Sequence, residues 1–130
     1  MRNEWTDSQR YIARNILAAF FTLAGLNHFV MPAFYLPLIP DYLPSPDHIN
    51  TMAGIVEIIL GIGLLIAPLR QWAAWGIIAL LIAFIPSHIY FIQIGACVEG
   101  GLCVPAWVAW VRLLLIHPLL IGWAWFVRKR

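Results

Sequence analysis

GIVEIILGIGLLIAP (residues 54–68) carries a single carboxylate, Glu57, inside an otherwise oily run. About 20 residues of helix, at 1.5 Å each, cross roughly 30 Å of hydrocarbon. The run belongs to a segment of that length, 49–67, and three more segments read alike, near 11–31, 72–94 and 104–127. Composition agrees with that reading. Of 130 residues, 62% are hydrophobic and only 11% charged, and mean hydropathy is +0.83. Such a balance excludes an ordinary water-soluble domain. The sequence predicts an all-α integral membrane protein, a single domain built as an up-down-up-down four-helix bundle.

Charge placement sets the expected orientation. Arg2, Arg10 and Arg14 mark the start of the first span, Arg70 separates the second from the third, and Arg128, Lys129 and Arg130 follow the fourth. The loops at 32–48 and 95–103 hold no Lys or Arg, only Asp41, Asp47 and Glu99. By the positive-inside rule both termini face the cytoplasm and these loops lie outside, in a multi-pass protein of the cell inner membrane. The opening MRNEWTDSQRYIARN carries acids and lacks a small-residue cleavage site, so it does not read as a signal peptide. Trp5, Trp72, Trp75, Trp107, Trp110, Trp123 and Trp125 fall near span ends, where indoles anchor at headgroups.

Glu57 lies about eight residues below the outer end of its span, roughly 12 Å deep. A charge near the bilayer centre costs on the order of 2.5–3.5 kcal/mol, so it is expected to face protein. Gly54, Glu57 and Gly61 follow i, i+3, i+7 spacing and share one stripe, whose small residues permit close helix approach. Arg112 sits at a similar depth in the fourth span and is the expected partner, either as a structural salt bridge or within a polar pocket. His28, in GLNHFVMP, and His88, beside Pro86 in IPSHIYF, occupy the layer above. Glu57, Arg112, His28 and His88 are therefore the candidate pocket residues. His88 joins them only if Pro86 distorts its helix. His117 follows Arg112 by five residues, about 140° around a regular helix, and is expected to point elsewhere.

The loop PAFYLPLIPDYLPSPDHIN holds five prolines among aromatic residues. It reads as a lid over a cavity, with Phe34, Tyr35 and Tyr42 as its candidates, or as an interfacial anchor. Cys97 and Cys103, in CVEGGLC, are the only cysteines and are the disulfide candidates of an oxidising outer loop, structural or redox-active. No histidine pair has metal-ligand spacing, and neither a nucleophilic triad nor a phosphate loop is present. No metal and no nucleic acid are expected.

GLNHFVMPAFYLPLIPDYLP, followed by MAGIVEIILGIGLLI and LIAFIPSHIYF, resembles the DoxX-like family of small four-span membrane proteins. That resemblance implies a redox association, such as a membrane subunit of an oxidoreductase acting with quinone, and a redox partner protein. The residues themselves suit an outer-half pocket for a quinone-like or other small amphiphile, with Glu57 and a histidine exchanging protons. The alternative is a non-enzymatic scaffold or assembly factor in which the Glu57–Arg112 pair is structural. Expected partners are the lipid bilayer, that redox protein, and a second copy of the chain.

Overall fold

The computed structural model describes residues 4–129. Arg2 and Arg130 of the basic segments lie outside the described residues, as does the side chain of Trp5. The chain is all-helical in class, with no named strand among the described residues. Its elements are α1 (Glu4–Val30), α2 (Pro32–Tyr35), a 3-10 turn (Leu36–Leu38), α3 (Pro46–Leu65), a second 3-10 turn (Ala67–Leu69), α4 (Arg70–Ala83), α5 (Ile85–Gln93), α6 (Ala106–Val111), a π-turn (Arg112–Ile116) and α7 (His117–Val127). Three continuous stretches, Pro46–Leu65, Ala67–Gln93 and Ala106–Val127, are long and apolar enough to cross a membrane. The first helix reaches that standard together with the segment Pro32–Leu38, from which it is bent by 98°.

Helix ends depart from the boundaries expected from hydropathy. α1 begins at Glu4 rather than near residue 11, and α3 begins at Pro46 rather than 49. Hydropathy marks where apolar side chains begin, whereas caps and prolines mark where helix begins. Pro46 occupies the first turn of α3, where its missing N–H costs nothing. The proline-rich loop is not extended, because Pro32 starts α2 and Pro37 lies within the 3-10 turn that Leu36 starts.

α1 packs against α3, α3 against α4, α4 against α7, and α7 returns to α1. The α1–α3 contact is the closest. A Cβ on Gly25 would lie 2.6 Å from the Gly54 carbonyl oxygen, and one on Gly54 would lie 2.9 Å from the Gly25 oxygen. A Cβ on Gly61 would meet Thr22 Oγ1 at 2.6 Å. Here the two backbones touch, and only glycine allows it.

Two cores result. One, around Leu17, Phe21, Leu64, Ile77, Ala124 and Val127, fills the bundle toward the end where the terminal segments meet. The Trp123 indole donates to the Ala13 carbonyl there, at 2.9 Å. The smaller core joins Phe91, Ala96 and Ala109 to Val98, Leu102 and Val104 of the 95–105 loop. Cys97 and Cys103 are disulfide-bonded and pair across that loop. Closing so small a ring restricts the unfolded chain by about 2 kcal/mol. A Cys97→Ser, Cys103→Ser variant is therefore expected to lose about that much stability in chemical denaturation.

Candidate functional site

Two proline breaks open the bundle interior. Pro86 cannot donate to the Ile82 carbonyl, and the helix that begins at Arg70 stops at Ala83 and restarts at Ile85. Pro118 likewise cannot donate to the Leu114 carbonyl, and the turn before it widens into a π-turn in which the His117 N–H bonds Arg112 O. Between these breaks, α1, α3 and the proline loop lies a cavity of about 670 Å³.

His28, Glu57, His88 and Arg112 all line this cavity, as do Phe34, Tyr35 and Tyr42 of the proline loop. The rest of the wall is largely apolar and includes Phe20, Phe21, Leu38, Ile39, Leu81, Phe84, Ile116 and Leu120.

On the α1–α3 wall the polar groups form a chain. Asn50 Nδ2 donates to the His28 carbonyl at 3.0 Å, which turns Asn50 Oδ1 toward the imidazole, 2.6 Å from Nδ1. An amide oxygen only accepts, so His28 Nδ1 carries a hydrogen. His28 Nε2 then faces Glu57 Oε2 at 3.4 Å. Two lone pairs at that distance repel, so one proton resides on this edge, on the imidazole or on the carboxyl. Glu57 is 5% exposed, and Oε2 has no hydrogen-bond partner. The contact with Nε2 is long for a hydrogen bond, so the buried oxygen retains unused accepting capacity.

The opposite wall is cationic and imidazole-rich. Arg112 lies over the Phe91 ring, 5.4 Å from its centroid. The His88 and His117 rings meet edge to face at 4.7 Å, and His117 Nε2 donates to the Leu81 carbonyl beside the helix break.

The proline loop is pinned across the cavity mouth. Tyr35 stacks on His28 with centroids 3.9 Å apart, and Asn27 Nδ2 donates to the Tyr35 hydroxyl at 2.7 Å. Ser87 Oγ donates to the Leu38 carbonyl at 2.6 Å. Phe34 meets Tyr35 edge-on at 5.1 Å, while Tyr42 is largely exposed.

Two expectations require correction. Glu57 forms no ion pair with Arg112; its ionisable neighbour is His28. Equal depth does not make two groups adjacent, and the glycine contact draws α1, not the fourth span, onto Glu57. His117 does line the cavity. The π-turn winds more slowly than an α-helix, so residues five apart align and the 140° estimate fails. Sequence reasoning also missed Asn50 and Ser87. Asn50 precedes Glu57 by seven residues, on the stripe of Gly54 and Gly61, and that spacing was the available signal. Among the described residues, no three His, Cys, Asp or Glu side chains gather as a metal site.

Neither the curated proteins nor the solved structures contain a match to this chain. The resemblance to the DoxX-like family does not stand, and it no longer supports an oxidoreductase subunit or a redox partner. Its motifs are short and scattered, whereas a single different family covers nearly the whole bundle. Residues 17–128 match that family throughout, and the chain belongs to the family described as Domain of unknown function (DUF8561).

Proposed function

We propose that this chain is a multi-pass inner-membrane protein whose cavity binds a small amphiphile. One observation carries the reading: ionisable side chains from separate helices converge on a single, otherwise largely apolar, 670 Å³ cavity. Intramembrane ionisable groups are costly and mark functional sites by default.

The bilayer placement rests on uncovered apolar surface. In the three long apolar stretches no more than 33% of the membrane-length window is buried by the rest of the chain. Trp72, Val30, Trp107 and Leu114 are among the most exposed side chains. Lipid is the solvent that suits such a surface, in the up-down-up-down arrangement with both termini cytoplasmic.

The polar groups describe the ligand's head. Arg112 only donates, so it suits an acceptor oxygen, while the unused Glu57 Oε2 suits an O–H donor. The shared proton on the Glu57–His28 edge supplies local acid–base exchange. The apolar wall takes a ring or short tail. A quinol has this combination of groups and serves as the probe.

The test is a titration of the full chain, in detergent, with a short-tailed quinol, with the ringless tail alcohol as control. Arg112→Gln is expected to weaken quinol binding about 10- to 100-fold, the loss of one charge-assisted hydrogen bond. Saturable binding that ignores Arg112, or no binding to the native chain, would refute the proposal.

A further inference from the structure

A second concavity lies at the opposite end of the bundle. Arg10 and His28 are 18 positions apart on α1, about 27 Å along the axis. There Arg10, Arg70, Arg128 and Lys129, with Asp7 as the sole acid among the described residues, line a basin of about 1020 Å³. Asp7 is engaged by Arg10, Nη1 to Oδ1 at 3.4 Å.

The arginines are held by the ends of the helices. Arg10 Nε donates to Phe126 O at 3.1 Å, Arg70 Nε to Leu64 O at 3.0 Å, and Arg128 Nη1 to Trp125 O at 2.6 Å. The Arg70 and Arg128 bonds each use one guanidinium nitrogen of a fork that carries five N–H donors. Charges that only orient a protein in a bilayer need neither a shared concavity nor such anchoring.

Arg14 lies behind the basin, outside its lining. One turn below Arg10 on α1, it is 7% exposed, and its Nη1 is buried with no hydrogen-bond partner. Its guanidinium lies over the Tyr11 ring, 5.7 Å from the centroid. A buried guanidinium nitrogen without a partner is costly, and it adds to the positive charge at this end of the bundle. Trp72 completes the rim at 78% exposure, an indole suited to the glycerol level of a bilayer.

We propose that this basin binds a phosphate-bearing anion, supplied by an anionic phospholipid headgroup or by a free phosphate ester. Basic pockets between helices on the cytoplasmic side suit such headgroups. The site is independent of the cavity, although its lipid arm shares the bilayer placement.

The experiment purifies the full chain from vesicles of equal phosphatidylglycerol and phosphatidylcholine and weighs the retained lipid by native mass spectrometry. Phosphatidylglycerol is expected to exceed phosphatidylcholine about tenfold. Arg70→Gln is expected to cut that excess about fivefold, at about 1 kcal/mol per basic residue. Arg128→Gln with Lys129→Gln, at the chain end and away from the core, is expected to cut it further. That double variant decides the matter if Arg70→Gln fails to fold. Gly122→Ala, which lines neither concavity, should leave retention unchanged. Displacement of the lipid by millimolar inorganic phosphate assigns the basin to free phosphate esters; resistance assigns it to lipid. Equal retention of the two lipids, without stabilisation by inorganic phosphate, overturns the proposal.

Discussion

Exchanging Asn50 for leucine is expected to lower stability by about 2–4 kcal/mol, because two buried hydrogen bonds lose their partners together. Asn50 Oδ1 fixes the hydrogen on His28 Nδ1, and Asn50 Nδ2 satisfies the His28 carbonyl. Leucine leaves both groups buried and unpaired. It also frees the imidazole to move its hydrogen to Nε2, where it would face Glu57 Oε2 whatever the carboxyl carries. Glu57→Gln should behave differently. Glu57 Oε2 has no hydrogen bond to lose, so the unfolding midpoint should shift little while quinol binding falls about 10- to 100-fold. Chemical denaturation and ligand titration on the same two variants separate these effects. If Glu57→Gln unfolds the chain as readily as Asn50→Leu, the carboxylate is a structural lock and the ligand reading loses its ground.

The second large effect is steric. The double change Gly25→Ala, Gly54→Ala should cost more than about 3 kcal/mol, beyond the usual penalty for a single overpacked site. Alanine normally favours a helix over glycine by about 1 kcal/mol, so the sign itself is informative. Each new Cβ would press on the other helix's backbone oxygen, at 2.6 and 2.9 Å, and a backbone cannot rotate aside as a side chain can. The Gly54 methyl would also stand 2.9 Å from His28 Cβ, displacing the imidazole from Glu57. Gly122→Ala is the matched control. A Cβ there meets nothing within 4 Å, and the variant should gain slightly from helix propensity. Unfolding curves of the two variants should therefore move in opposite directions.

Much of this architecture can be read from residue spacing, and the rest depends on neighbours that spacing does not encode. The helical class follows from the length of the apolar runs. The inward face of α3 follows from Gly54, Glu57 and Gly61, because a carboxylate and two glycines on one stripe make poor lipid-facing surface. The partner of Glu57 was not legible in the same way. Depth along an axis is one coordinate, and choosing between His28 and Arg112 requires knowing which helix the glycines admit. His117 was hidden for a different reason. A wheel assumes 100° per residue, and the proline that follows His117 makes the preceding turn break that assumption. The family resemblance failed because four or five residues in order can recur in unrelated apolar helices.

The widened turn at Arg112–Ile116 has a consequence for comparing sequences. Such a turn houses one surplus residue, and both flanks keep the faces they would have in an uninterrupted helix. Leu114, within it, is 67% exposed, so its removal would empty no core. Shortening the chain by that residue would turn the five-residue step from Arg112 to His117 into an ordinary i, i+4 step with the same facing. A chain with a one-residue gap at this point would thus conserve the geometry that a gap-free alignment, forced through the same place, would misassign by a full position.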